Sequence, residues 1–138
     1  MIRNVVLSLN PAISGETIMN GQPNLPNRIR LSQSASDQLG HLKTRTGLTP
    51  NILARIAFAY SLRADFDYQQ LTPTADGLDF NLVTLLGDYS SLYELLLFQD
   101  SQASTSEELS NALISHIENG LTYMMGTKRL TDLATHCM

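Results

Sequence analysis

The chain has 138 residues, of which 43% are hydrophobic and 16% are charged, and its net charge at pH 7 is -4. This length fits one domain, and the hydrophobic content is enough for a buried core. No apolar run approaches the roughly 18 residues that a membrane-spanning helix needs, which argues against a membrane protein.

The cellular compartment is indicated by one cysteine and by the N-terminal residues. Cys137 has no second cysteine to pair with, which excludes an internal disulfide and suits a reducing environment. The apolar run at residues 5–9 is too short for the core of a signal peptide. We therefore expect a cytoplasmic protein.

The net charge conceals a strong asymmetry along the chain. Residues 1–63 contain seven basic and two acidic side chains, a net charge of +5, whereas residues 64–127 contain ten acidic side chains and no lysine or arginine. Such a division predicts one half that faces a polyanion and another that faces solvent or a partner protein. The alternative is that the basic residues are ordinary surface chemistry.

Residues 1–26 are rich in glycine, proline, asparagine and serine, which predicts a poorly ordered extension before a single domain at residues 27–138. The domain begins with a short strand, in which Ile29 and Leu31 share one face while Arg28 and Arg30 share the other. No hairpin turn leads to a second strand nearby, so we predict pairing with the same strand of another chain. Such a ribbon would present four arginines to DNA.

A first helix is predicted after the strand, with Ser34 as its N-cap and Asp37 as the acidic partner three residues later. Lys43 and Arg45 lie in its last turn, and Gly47 suits the left-handed residue that ends a helix. The two cations have two compatible interpretations, as partners of the helix dipole and as contacts for DNA phosphates.

Thr49 and Pro50 predict the start of a second helix, because threonine caps a first turn and proline fits the first helical position. A helix N-terminus beside a basic strand is also suited to phosphate, so Thr49 is a candidate for both capping and DNA contact. Strand, helix, turn and helix in this order predict a ribbon-helix-helix-like module at residues 27–63.

The remaining residues predict a helical cover at residues 78–138, reached by a linker within residues 63–77. Residues 80–85 predict a short strand or an extended lead-in, and apolar spacing predicts a helix at residues 89–98. Thr105 and Glu108 predict a capping box for a last helix that ends at Gly120. The predicted fold class is mainly α with one short β-strand, and the ribbon-helix-helix-like N-terminal module packs with additional C-terminal helices.

Signals of catalysis or of a cofactor are few. His116 lies on the apolar stripe of the last helix, where a core histidine is a simpler interpretation than a general base or a metal ligand. His136 and Cys137 are adjacent ligand types, but no others accompany them at the spacing of a zinc site. The sequence has no phosphate-binding loop, dinucleotide-binding turn or nucleophile elbow. We expect no catalytic residues, no metal and no cofactor.

Three blocks in the same order resemble the DndE family of DNA sulfur-modification proteins: RIRLSQSASDQLGHLKTRTGLTPNILARIAFAYSL, FNLVTLLGDYSSLYELLLF and HIENGLTYM. The resemblance implies an accessory subunit of DNA phosphorothioation, in which sulfur replaces a non-bridging backbone oxygen. It implies a homotetramer that binds double-stranded DNA, including nicked duplex, with contacts from Lys43, Arg45 and Arg55. It assigns the sulfur chemistry to partner proteins, namely a cysteine desulfurase and an iron-sulfur enzyme similar to ATP pyrophosphatases, with an ATPase alongside.

Two features depart from the family pattern. Residues 1–26 precede the matching blocks, and the second half is acidic in a chain that has only two lysines. The second feature lowers the DNA affinity expected at physiological salt.

Three hypotheses follow. The first is a non-catalytic phosphorothioation subunit in which Arg28, Arg30, Lys43, Arg45 and Arg55 contact DNA phosphates. The second is a ribbon-helix-helix transcriptional regulator, although a strand that offers only arginine and serine is poorly suited to reading bases. The third is a scaffold whose acidic half docks the sulfur-modification enzymes without binding DNA.

Overall fold

The computed structural model describes residues 24–64 and 73–126 of the chain. In these residues the order of elements is β1 (Arg28–Arg30), α1 (Gln33–Thr46), α2 (Pro50–Arg63), β2 (Asp79–Asn81), α3 (Leu82–Leu86), a 3-10 turn (Gly87–Tyr89), α4 (Ser90–Ser101) and α5 (Ser106–Met124). The fold is mainly α, as predicted, but with two strands rather than one. None of the described helices is long and apolar enough to cross a membrane.

Several predictions from the sequence fall on residues that the structure does not describe. These are most of the N-terminal extension (residues 1–23), most of the linker (residues 65–72) and the end of the helical cover (residues 127–138). His136 and Cys137 belong to the last of these segments. The domain boundaries therefore remain predictions.

β1 pairs with β2 of the same chain, which corrects the prediction that it pairs with a second chain. The strands are antiparallel, and Ile29 lies opposite Phe80 with both side chains buried. A further backbone hydrogen bond, from the Leu31 N–H to the Leu78 carbonyl at 2.9 Å, extends the pairing beyond β1. The two strands do not form a hairpin, because α1 and α2 lie between them in the sequence.

α1 is capped at both ends. The Ser32 hydroxyl accepts a hydrogen bond from the Ala35 N–H at 3.1 Å, so the prediction of Ser34 as the N-cap is wrong by two residues. Ser32 has the extended backbone of a cap because the strand segment leads directly into the helix. Gly47 adopts φ +82° and its N–H donates to the Lys43 carbonyl at 2.8 Å, which confirms the predicted left-handed C-cap.

The centre of the core is the contact between α2 and α5, the most extensive contact between any two described elements. Gly120 of α5 lies against the backbone of α2, where a β-carbon at this position would overlap the carbonyl oxygen of Ala57. The prediction that Gly120 ends the last helix is wrong, because α5 continues to Met124. This glycine permits close helix packing instead of termination.

The helical cover begins with β2 and α3, so residues 80–85 are a short strand only at their start and are otherwise helical. Asn81 caps α3 by accepting a hydrogen bond from the Val83 N–H at 2.8 Å. The predicted helix at residues 89–98 is present as α4. The predicted cap of α5 is confirmed, since the Thr105 hydroxyl accepts from the Glu108 N–H at 3.1 Å.

The core draws on all the described helices and on the segment after β1. Its largest fully buried side chains are Leu31, Leu39, Leu42, Leu53, Leu85, Leu86, Leu97, Leu109, Leu113, Ile117, Leu121 and Met124.

Candidate nucleic-acid interface

Two cations and a helix start lie together at the turn between α1 and α2. Lys43 and Arg45 are exposed in the last turn of α1, and three residues separate that helix from α2. The Lys43 side chain makes no hydrogen bond or ion pair within residues 24–64 and 73–126, whereas the Arg45 Nη1 donates to the Met125 carbonyl at 3.4 Å. We call Lys43, Arg45 and Thr49 the turn surface.

Thr49 is the N-cap of α2 and is also exposed on the turn surface. Its hydroxyl accepts a long hydrogen bond from the Ile52 N–H at 3.5 Å, and Pro50 occupies the first helical position. The predicted capping role is therefore confirmed. Contact between Thr49 and DNA stays a prediction, which the nearby positive end of the helix dipole favours.

The strand arginines are both exposed, but each already has a partner in the chain. Arg28 forms an ion pair with Asp79 of β2, in which its Nε donates to Oδ2 at 2.6 Å and its side chain remains 56% exposed. The Arg30 Nη1 donates to the Gly77 carbonyl at 3.0 Å. The predicted ribbon of four arginines from two chains is thus replaced by a two-stranded sheet in which an acidic side chain accompanies the arginines.

The candidate residues form two groups at opposite ends of α1. The helix has 14 residues, so at 1.5 Å per residue its ends are about 20 Å apart. Arg28 and Arg30 precede its start, and the turn surface lies at its end, in the last turn and just beyond it. A single phosphate therefore cannot contact both groups, although one duplex can.

Carboxylates make the starting end of α1 the less favourable of the two for an anion. Glu118 accepts a hydrogen bond from the Ser32 N–H at 2.8 Å, and Asp76 accepts one from the Gln33 N–H at 2.9 Å. The Gln33 N–H and then the Thr74 hydroxyl hold the pKa of Asp76 below its usual range, so this group stays charged at neutral pH. At the other end of the helix, Lys43 makes no ion pair with any carboxylate of the described residues.

Arg55, the remaining candidate, lies apart from both groups. It is half-buried on α2, and its Nε has no hydrogen-bond partner among the residues that the structure describes. Burial raises the pKa of Tyr93 on α4, and the nearby charge of Arg55 opposes that effect. Arg55 therefore lies close to α4 and is less accessible to DNA than Lys43 or Arg45.

The exposed side of α1 carries a shallow concavity that is open to solvent. Its lining includes His41, whose side chain is exposed and makes no hydrogen bond or ion pair in the two described segments. His41 is not among the residues predicted from the sequence, because a single exposed histidine belongs to no recognisable pattern. The lining residues are Ser36, Asp37, Gly40, His41, Thr44 and Arg45.

His116 belongs to a buried polar network, as its place on the apolar stripe predicts. Its Nδ1 lies 2.7 Å from the Ser61 hydroxyl and its Nε2 lies 2.8 Å from an Asp100 carboxylate oxygen. An ionised carboxylate can only accept, so Nε2 donates to Asp100, and Nδ1 of a neutral ring then accepts from the Ser61 hydroxyl. The Ser61 oxygen in turn accepts from the Asn119 amide at 3.0 Å. Ser61 is fully buried and the network joins α2, α4 and α5, which is the geometry of a structural link.

Metal ligands are not clustered in the part of the chain that the structure describes. No group of three or more histidine, cysteine, aspartate or glutamate side chains there has an arrangement that could hold a metal ion. Together, the fold and the exposed residues define a small, mainly helical protein with a local cationic surface at one helix-turn-helix junction.

Known proteins similar to this chain identify its family. The model of the family described as DNA sulphur modification protein DndE matches residues 28–132. The crystal structure of DndE from Escherichia coli B7A, involved in DNA phosphorothioation modification, is 38% identical, with a TM-score of 0.67, and the match covers 72% of this chain and 97% of that one. The chain therefore belongs to the DndE family, which is involved in DNA phosphorothioation.

A second crystal structure gives the same result. It is a glycine-to-lysine double mutant of DndE involved in DNA phosphorothioation, with 34% identity and a TM-score of 0.65, over 72% of this chain and 98% of that one. None of the curated proteins compared with the chain matches it significantly. The resemblance that the three sequence blocks indicate is thus confirmed at the level of the family.

Proposed function

We propose that this protein is a non-catalytic subunit of the DNA phosphorothioation system that holds the backbone of double-stranded DNA, including duplex with a nick. The observation that carries the proposal is the exposure of Lys43 and Arg45 beside the start of α2. Cations and a helix N-terminus are the groups that proteins use to bind phosphate. Membership of the DndE family connects this surface with DNA modification.

Backbone binding is favoured over base reading by the pairing of β1. A ribbon-helix-helix regulator needs strands from two chains to form the element that enters the major groove. β1 instead pairs with β2 of its own chain, and Asp79 occupies the partner strand. The regulator hypothesis therefore loses the structural feature on which it depends.

The sulfur chemistry is assigned in this proposal to partner enzymes of the same system. Exposed acidic side chains of the second half, among them Asp88 and Glu107, offer docking contacts for such partners, which keeps the scaffold hypothesis as the alternative. The two hypotheses differ in one result: a scaffold retains its partners in a pull-down and does not bind DNA.

The proposal also includes a homo-oligomer, with a tetramer as the expected form. The oligomer is supported by an exposed apolar surface formed by α3, the 3-10 turn and α4. We call this surface the α4 face. The side chains of this face are between 44% and 74% exposed, which is high for large apolar residues. They are Val83, Tyr89, Leu92 and Leu95.

The main test is a salt series with labelled nicked and intact duplexes. The slope of log affinity against log salt concentration decreases in magnitude by about 0.9 for each B-DNA phosphate that the protein no longer neutralises. The Lys43→Ala/Arg45→Ala double variant should therefore lower that magnitude by about 2. Arg63→Ala is the matched control, because Arg63 is exposed at the opposite end of α2 and its change should leave the slope within about 0.3 of the parent protein.

Two results would contradict the proposal. Affinity that does not depend on salt would exclude binding to the phosphate backbone. An equal decrease of the slope in the double variant and in Arg63→Ala would show that only the net charge matters. Circular dichroism of each variant establishes that the fold is retained.

Arg28 is tested separately, because its ion pair competes with DNA. An exposed pair of this kind is worth about 0 to 1 kcal/mol, so a phosphate can replace Asp79. Asp79→Asn should tighten DNA binding by about threefold in the parent protein, and by less in an Arg28→Ala background. Equal effects in both backgrounds would show that Arg28 does not contact DNA.

A further inference from the structure

We propose that His41 is a proton-linked phosphate contact, which binds the DNA backbone as an imidazolium so that DNA binding takes up a proton. This inference rests on the proposed DNA binding, which it deepens by adding a regulatory property to the same surface. The sequence pattern alone assigns His41 no role.

His41 lies within reach of a phosphate that is bound at Arg45. It is on α1 one turn before Arg45 and one turn after Asp37, and all three line the same concavity. Residues four apart on a helix are neighbours, so a phosphate held by Arg45 can also contact the imidazole. Lys43 is exposed in the same last turn of the helix as Arg45.

The surface beside His41 is open to close approach by a ligand. Gly40 immediately precedes His41 and has no side chain, and a β-carbon there would meet nothing within 4 Å. The backbone of α1 is therefore accessible at this point. The concavity is shallow and open to solvent, so a phosphate group with its neighbouring sugar can reach the helix surface beside the imidazole.

The ionised side chains next to His41 on α1 carry opposite charges. On α1 the ionisable groups facing His41 are Asp37 and Arg45, which act in opposite directions on an imidazolium. Asp37 already accepts a hydrogen bond from the Gln33 side chain at 2.9 Å, one turn further from His41. Among the described residues, the end of α5 contributes the uncharged Met125 carbonyl, which accepts a hydrogen bond from Arg45. A phosphate held by Arg45 would add a second anion beside the ring and favour the imidazolium.

Imidazole is suited to this role because its charge changes between about pH 5 and 8. A phosphate within ion-pair distance favours the protonated ring, so binding and protonation assist each other. DNA affinity should therefore rise as the pH falls through this window. The acidic composition of the chain makes such an added cation significant for a weak interaction.

The experiment measures the affinity of the full chain for duplex DNA at three pH values between about 6 and 8, at constant ionic strength. Any nick should carry a 5′-hydroxyl, because a terminal phosphate itself titrates at about pH 6. The parent protein should bind about five times more tightly at the lowest pH than at the highest. His41→Gln should bind with the weaker affinity at all three values, and His41→Lys with the tighter affinity at all three.

Calorimetry in two buffers of different ionisation enthalpy gives an independent measurement of the same property. The parent protein should take up a fraction of a proton on binding DNA at neutral pH, and His41→Gln should take up about half of that amount or less. His116 and His136 are unchanged in this variant, so the difference between the two proteins reports on His41.

Two different results separate the role of His41 from the proposed function. Salt-dependent binding whose pH dependence is the same in the parent protein and in His41→Gln would overturn the role of His41 alone. The absence of duplex binding at every pH would overturn the proposed function and, with it, the role of His41.

Discussion

At the scale of single residues, two glycines on different helices differ in the space around them. Gly120 lies against the backbone of α2, and Gly40 faces open space on α1. The Gly120→Ala substitution should push α2 and α5 apart, which should lower the free energy of unfolding by about 3 kcal/mol or more. Alanine at 40 should instead stabilise the protein by about 0.5 to 1 kcal/mol, because it restricts the unfolded chain and favours the helix.

Urea unfolding of Gly120→Ala and Gly40→Ala measures both changes against the parent protein. The pair is a matched control, since each variant adds one methyl group at a helical position. Equal stability of Gly120→Ala and the parent protein would show that α2 and α5 do not approach as closely as the structure indicates.

The candidate site residues also show which properties a sequence pattern can predict. Alternation along β1 correctly predicts that Arg28 and Arg30 are exposed while Ile29 is buried. The same pattern contains no information on Asp79, which is 51 positions away from Arg28 in the sequence. The half-buried position of Arg55 is likewise set by neighbours from other elements.

At the scale of elements, local signals predict the helix ends better than the strand pairing. Thr49, Gly47 and Thr105 were predictable as caps because each acts on backbone groups within a few residues. The partner of β1 depends on a segment that α1 and α2 separate from it. Gly120 shows the limit of a local signal, since the same residue type ends a helix or permits packing according to what lies opposite.

The cap of α5 predicts a pH dependence of stability. The Ser104 N–H, at 2.8 Å, and then the Ser104 hydroxyl, at 3.0 Å, hold the pKa of Glu108 below its ordinary value of 4.5. Because the folded-state pKa is lowered, the charged carboxylate stabilises the fold above about pH 4.5, and this stabilisation is lost as the pH falls through the folded-state pKa.

The measurement is the melting temperature of the parent protein and of Glu108→Gln between about pH 3 and pH 7. The parent protein should lose more of its melting temperature than the variant as the solution is acidified. Glu107→Gln is the control, because Glu107 lies in the same first turn and its side chain makes no hydrogen bond in the described part of the chain. Parallel curves for the parent protein and Glu108→Gln would contradict the assignment.

At the scale of the whole molecule, the basic and acidic halves of the sequence are not separate bodies. Carboxylates of the second half contact the beginning of the basic module and the segment before it: Glu94 accepts from the Leu25 N–H, Glu118 accepts from the Ser32 N–H, and Asp79 pairs with Arg28. Of these three contacts, the Arg28–Asp79 ion pair alone joins opposite charges, and it neutralises one arginine of the basic half within the fold. The turn surface lies at the far end of α1 from these carboxylates, which favours phosphate binding there.

A substitution on the α4 face tests the assembly of the protein. Leu92→Glu places a charge at the centre of this exposed apolar surface, so it should dissociate an oligomer that buries the face. Light scattering coupled to size-exclusion chromatography should show a tetramer for the parent protein and a smaller species for Leu92→Glu. Leu78→Glu is the matched control, because Leu78 is 40% exposed, outside the α4 face, and the change is chemically the same. A mass that is unchanged in Leu92→Glu would assign the subunit contacts to another surface, and a monomeric parent protein would remove the oligomer from the proposed function.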